Sequence, residues 1–236
     1  MNLYKSLFKY YPNIYNFHKS KYGELVKEIK FEDIPMQDDC AVVGTSSTLL
    51  EQPKGRIIDS YFVIRVNGVP SESLFLNYTG KRNDIHVGTY HVNPKHLTKR
   101  IVVYCHVSWF PSKCWNNIKT DKNYRISPYL VYKTRKQYGL NKKFPTSGLI
   151  AIEFAKSMCN KVHMFGFGIN TSFSNCSHYY NVQNLKNPNK CSYSKKYGGK
   201  TNNSPAFYED YVKSYWHNFS KEVSFIKNKK HLIKND

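Results

Sequence analysis

Two short stretches combine hydroxyl side chains with a turn or helix start that leaves backbone N–H groups exposed, an arrangement suited to a phosphate or a ribose. In residues 40–47, CAVVGTSS, an apolar run stops at Gly44 and is followed by Thr45, Ser46 and Ser47. Glycine lets the chain turn sharply and approach a ligand, and the hydroxyls supply both helix caps and ligand contacts. In residues 145–148, PTSG, Thr146 and Ser147 open an apolar-periodic segment. There, hydroxyls, N–H groups and the helix dipole all favour an anion. Each stretch reads equally as an ordinary capped turn. Neither matches G-x-G-x-x-G or the G-x-x-x-x-G-K-[ST] phosphate loop, so no dinucleotide or triphosphate is indicated. Nine histidines are available as proton carriers, because an imidazole with a pKa near about 6.5 changes charge close to neutrality. Residue type alone singles out none of them.

The elements that must position these residues follow from periodicity. Cys40 to Val43 read as a buried central strand. A short helix should follow and end at residues 53–55, and residues 57–67 should return as a strand carrying Arg65 and Asn67 to its C-terminal end. Residues 83–88 and 101–105 read as further strands, and 128–138 as a helix. Apolar residues at 149, 152, 155 and 158, with 150 and 154, follow a helical period. Val162 to Phe165 then form a strand ending at Gly166-Phe167-Gly168, the kind of place where ligands of open α/β sheets bind. Residues 169–204 are rich in Asn, Ser, Tyr and Lys, lack periodicity, and read as an active-site lid or a partly mobile loop. Residues 207–216 suggest an amphipathic helix, and residues 220–223 begin a closing one. An amphipathic piece at 22–29 reads as a helix packed outside the sheet or as a loosely held lead-in. The expectation is an α/β fold: one domain over residues 36–236, with residues 1–35 as a lead-in.

Composition narrows the partners only a little. The chain of 236 residues carries 36 basic and 16 acidic residues, a net charge of +20. Such a balance ordinarily suggests nucleic acid or an anionic membrane. However, 30 of the basic residues are lysine and are spread along the chain beside abundant Asn, Tyr and Ile, as an AT-rich coding bias would produce. The six cysteines, at 40, 105, 114, 159, 176 and 191, contain no C-x₂₋₄-C pair, which disfavours a zinc finger or ribbon. Residues 1–35 hold no apolar run long enough for a signal peptide or a membrane anchor.

Four stretches in order resemble the sialylmotifs of the eukaryotic-type sialyltransferases, glycosyltransferase family 29. Cys40 to Gly44, Ser46, Leu49, Ile58-Asp59, Arg65 and Asn67 resemble the long motif. Residues 144–148, FPTSG, with residues 159–168, CNKVHMFGFG, are similar to the short motif. His178-Tyr179-Tyr180 resembles motif III, and His217 with Glu222 resembles the very short motif H-x-x-x-x-E. The resemblance covers about residues 38–230. It implies a GT-A-type variant of the Rossmann-like fold, with a mostly parallel sheet flanked by helices.

The resemblance also implies an activity: inverting transfer of sialic acid from CMP-sialic acid to a glycan hydroxyl. His217 is then the general base, His178 the group that contacts the leaving phosphate, and Glu222 a support at the start of the last helix. Donor binding falls to Gly44, Thr45, Ser46, Asn67, Thr146, Ser147, Gly148 and Phe167. In the family the long-motif cysteine bonds the short-motif cysteine, here Cys40 and Cys159, and the alternative is two buried thiols. Members of the family need no metal, and this chain contains no D-x-D. No nucleic-acid partner is implied, and no cofactor beyond the CMP-sugar co-substrate. The family is Golgi-lumenal, while this chain shows no transmembrane segment, so the compartment stays open. Departures include Thr45 for the motif's Asn, Ser47 for its second Gly, Phe144 for Tyr, the inverted pair Thr146-Ser147, and Asn181 where an acid is frequent. They leave the donor open to a related ulosonic acid such as Kdn or Kdo. The competing readings are an inactive homologue that binds a CMP-sugar or glycan, and a basic nucleic-acid-binding protein.

Overall fold

The computed structural model describes residues 27–28, 35–67, 73–88, 100–103, 123–125, 128–140, 145–168, 182–191, 219–229 and 232–235. Their organising element is strand β2 (Gln37–Val43), which is polar at its start and buried from Cys40 onward. Cys40 and Val42 face one core while Ala41 and Val43 face another. Burial on both faces is why the run is continuously apolar rather than alternating.

Around β2 the described residues form an eight-stranded sheet whose pairings are all parallel. On one side stand β3 (Phe62–Val66), β4 (Ile85–Gly88), β5 (Arg100–Val103), β6 (Asn123–Arg125) and β1 (Lys27–Glu28). On the other stand β7 (Cys159–Phe165) and β10 (Leu232–Lys234). The chain therefore leaves β2 in one direction through β3 to β6, then returns to β2's opposite flank as β7. That reversal makes the carboxyl ends of β2 and β7 a topological switch point, where open α/β sheets bind ligands.

Helices cover both faces. Helix α3 (Pro128–Gln137), α4 (Ser147–Lys156) and α5 (Phe219–Lys227) contribute Val131, Ile150, Phe154 and Ile226 to the core with Cys40 and Val42. On the opposite face a 3₁₀ turn (Ser47–Leu50), α1 (Gly55–Asp59) and the segment around α2 (Leu76–Thr79) contribute Leu49, Leu50, Ile58 and Phe75. The expected α/β Rossmann-like architecture is thus present.

Several local expectations need correction. Residues 57–61 are not strand: α1 runs through Asp59, and β3 begins only at Phe62. The β-branched pair Ile57-Ile58 reads as strand, but Gly55 packs so tightly on α2 that a Cβ would stand 2.3 Å from the Leu76 carbonyl oxygen. That helix–helix contact buries Ile58 and leaves Ile57 exposed. The segment at 53–55 consequently opens a helix instead of closing one. Within 22–29, Lys27 and Glu28 are a strand pairing with Tyr124 and Arg125, not a helix, because the sheet edge supplies partners that local periodicity does not reveal. The aperiodic stretch 169–204 contains an antiparallel hairpin, β8 (Val182–Asn184) and β9 (Asn187–Cys191), seated by buried Val182. The proposed helix at 207–216 lies outside the described residues.

Candidate active site

At the switch point the turns after β2 and β7 interlock. The Gly44 N–H donates to the Phe165 carbonyl at 2.8 Å, and the Ser46 N–H to the Gly166 carbonyl at 2.9 Å. A Cβ on Gly44 would lie 2.3 Å from the Gly166 oxygen, so the two backbones meet at a separation that only glycine permits. Gly166 turns with φ at 71°, in the left-handed region. Ser46 caps the 3₁₀ turn, its hydroxyl accepting from the Thr48 N–H at 3.3 Å. A Cβ on Gly168 would sit 2.9 Å from that same hydroxyl oxygen.

The head of α4 joins this junction. Thr146 is its N-cap, with Oγ1 accepting from the Leu149 N–H at 3.1 Å, and Ser147 opens the helix, buried. A Cβ on Gly148 would be 2.9 Å from the Phe167 ring, so residues 146–148 and 166–168 share one surface. Gly44, Ser46, Gly148 and Phe167, named from sequence, are therefore brought together, with Thr45, Thr146 and Ser147 beside them in the chain. Asn67 stands on the same carboxyl rim. Val43 pairs with Arg65, so Asn67 lies two residues beyond that pair on the neighbouring strand. Its φ of 59° is left-handed, a conformation that asparagine tolerates better than most residues and that recurs at functional sites.

Glu222 supports this junction from α5. One carboxylate oxygen accepts the Thr146 N–H at 3.1 Å and the other accepts its hydroxyl at 2.6 Å. The acid is 3% exposed, and burial pushes it up to about 7 against the opposing pull of Thr146's two donors. Next to it, Tyr138 donates to Glu153 and packs its ring against Phe225. Burial and that bond to Glu153, with the charges of Glu153 and Glu222, raise its hydroxyl well above the usual tyrosine range.

Other matched positions have framework tasks. Cys40 and Cys159 form a disulfide with Cα atoms 6.0 Å apart, joining β2 to β7 below the site. Arg65 is buried, donating from Nε to the Arg82 carbonyl at 2.8 Å and from Nη2 to the Thr79 carbonyl at 2.7 Å. Asp59 accepts the Lys81 and Arg82 N–H groups at 3.0 and 2.8 Å. His178 and His217 lie outside the described residues. An open groove of about 520 Å³, lined by residues such as Arg56, Asp59, Asn77 and Lys81, shares no lining residue with the junction. The converging turns thus form a candidate site apart from this groove. The local sequence carries no signal for the buried bond of Tyr138 to Glu153 or for the burial of His86 beside Arg65, because each depends on neighbours separated in the chain.

The family model of Glycosyltransferase family 29 (sialyltransferase) matches residues 2–108 and 90–232. The chain belongs to this sialyltransferase family. Alpha-2,8-sialyltransferase 8E of Homo sapiens is 29% identical over 178 residues, covering 60% of this chain and 46% of that protein. The Pan troglodytes protein of the same name matches to the same extent. The chain thus spans about half the length of the curated relatives it matches. Among solved structures, a mammalian sialyltransferase in complex with Gal-beta-1-3GalNAc-ortho-nitrophenol superposes with a TM-score of 0.51 at 23% identity. That match covers 61% of this chain and 60% of the other, and it supports the fold of this family member. Among the described residues, no helix is long and apolar enough to cross a membrane.

Proposed function

We propose that this sialyltransferase-family protein moves sialic acid, or a related ulosonic acid, from its CMP-sugar to a glycan hydroxyl with inversion. The observation that carries the reading is the interlocking of the turns at 44–46 and 166–168 with the head of α4. It concentrates glycines, hydroxyls and a helix N-terminus at one switch point, where a nucleotide and its phosphate are favoured. Gly44, Thr45, Ser46 and Asn67 would hold one side of the donor, and Thr146, Ser147, Gly148 and Phe167 the other.

In the proposed step the acceptor oxygen bonds the anomeric carbon as the carbon–oxygen bond to the CMP phosphate breaks. The phosphate leaves with the bond pair. His217 takes the acceptor's proton, and His178 stabilises the departing charge with a ring N–H. Glu222 holds the cap of α4. The reaction proposed here needs no metal. Retention of both His178 and His217 in the matched motifs argues against a merely binding role. The names of the relatives suggest two acceptor types to test: a sialylated glycan, whose terminal sialic acid offers the hydroxyl on carbon 8, and a galactosyl disaccharide.

The test is incubation with CMP-Neu5Ac, CMP-Kdn and CMP-Kdo in the presence of each acceptor. Released CMP is measured, and the anomeric configuration of the product is read by NMR. His217→Ala should lower transfer by about 10²–10⁴-fold, the usual worth of a positioned general base, while leaving donor affinity within a few-fold of the starting value. Transfer at an undiminished rate would remove His217 from the mechanism, and absence of CMP-sugar binding would remove the proposed function.

A further inference from the structure

Glu222 occupies an unusual place for a carboxylate. It is buried, and it accepts from both hydrogen-bond donors of Thr146, the residue that begins the anion-favouring turn at 146–148. An anionic donor seated at the switch point would bring its phosphate and carboxylate toward this acid, whose own buried surroundings screen charge poorly. Two like charges in such a setting disfavour each other, and the cheapest relief is for one to accept a proton. The donor's phosphodiester and carboxylate cannot do so near neutrality, whereas Glu222 can.

The groups around Glu222 leave that role to it. Just beyond the end of α3, Tyr138 donates to Glu153. From α4, Glu153 is already held by Tyr138 and by the Lys156 ammonium, 2.6 Å away. On α5 itself, the Lys221 ammonium is turned to the Gly139 carbonyl at 2.9 Å. Thr146 supplies donors that carry no net charge, so no cation stands in hydrogen-bond contact with the acid among the described residues. His217 and His178 lie outside them.

We propose that binding of the anionic CMP-sugar at the switch point is coupled to uptake of a proton by Glu222. This inference rests on the donor reading given above. The proton changes the clasp without breaking it. The protonated acid still accepts the Thr146 N–H through one oxygen, while the other becomes a donor to Thr146 Oγ1. By linkage the coupling is reciprocal: acid conditions tighten donor binding, and donor binding raises the acid's proton affinity. With the free acid poised at about 7, the effect falls in the physiological range.

The experiment is calorimetric titration with a hydrolysis-resistant 3-fluoro CMP-sialic acid at about pH 7.5, in two buffers of different ionisation enthalpy. Wild type should take up on the order of half a proton or more per donor bound, and its Kd should rise by up to about tenfold per pH unit above neutrality. Glu222→Gln keeps the clasp's hydrogen bonds in the neutral form, and it should bind the donor without proton uptake. As a check that needs no variant, the infrared difference spectrum of wild type on donor binding should lose a carboxylate band and gain a carboxylic-acid band. Donor binding without proton uptake, uptake that persists in Glu222→Gln, or the absence of the acid band would each overturn the inference while leaving the proposed function standing. A chain that binds no CMP-sugar would remove both.

Discussion

His86 and Glu222 show how single buried groups set the pH response of this fold. His86 sits on β4 beside Arg65, 1% exposed, and among the described residues its ring nitrogens have no close hydrogen-bond partner beyond a weak approach to the Asn67 backbone. Burial, then the Arg65 guanidinium, lowers it from 6.5 to about 4, with the Asn67 backbone opposing weakly. Between those values the unfolded chain binds a proton that the folded chain refuses, so this histidine's effect on stability falls as pH falls from 6.5 toward 4. Glu222 acts in the other sense. Its folded value of about 7 lies above its ordinary 4.5, so its contribution is present below 4.5 and is lost as pH rises through 7. Over the shared window the two largely cancel. Glu222→Gln should therefore unmask the histidine, with stability dropping on the order of 3 kcal/mol from pH 6.5 to pH 4. Urea unfolding at a series of pH values checks this, and a variant no more acid-sensitive than wild type would remove His86 as the cause.

At the scale of elements, the site depends on how β2, β7 and α4 are held to one another. The backbone bonds from Gly44 to Phe165 and from Ser46 to Gly166 keep the two turns in register. The Cys40–Cys159 bridge fastens the same two strands and closes a loop spanning 119 residues of sequence. A cross-link over so long a loop restricts the unfolded chain strongly, so Cys40→Ser combined with Cys159→Ser should cost about 3–5 kcal/mol. Denaturant unfolding measures that cost directly. Donor affinity of the still-folded fraction should change little, because the register is also set by the sheet's own hydrogen bonds. A double variant as stable as wild type would show that the bridge contributes nothing beyond those bonds. Element boundaries also mark where sequence reading stops: Ile57 and Ile58 have strand-like side chains, yet the contact of Gly55 with the carbonyls of α2 makes that segment a helix.

For the molecule as a whole, the net charge of +20 would attract the proposed anionic donor at long range. Surface charges steer encounters more than they set the chemical step, and salt screens them within about 10 Å at 0.1 M. Raising ionic strength from about 0.05 to 0.5 M should lower kcat/KM for the CMP-sugar several-fold while kcat stays nearly constant. Initial-rate measurements decide this, and a salt-independent kcat/KM would show that the lysines do not gather substrate. The sequence by itself determined the features that depend on neighbours close in the chain. These are the buried run from Cys40 to Val43, the helical period after Thr146, the glycines and hydroxyls at the turns, and with them the α/β class. Only the tertiary structure decided which distant groups meet. Thr146 and Glu222 are 76 residues apart, and the polar hairpin of β8 and β9 is seated in the second core by Val182. His86 loses its proton affinity to burial beside Arg65. Periodicity records which face of a segment is apolar, but burial, charge pairing and backbone approach belong to the space between segments, and that space exists only once the sheet has formed.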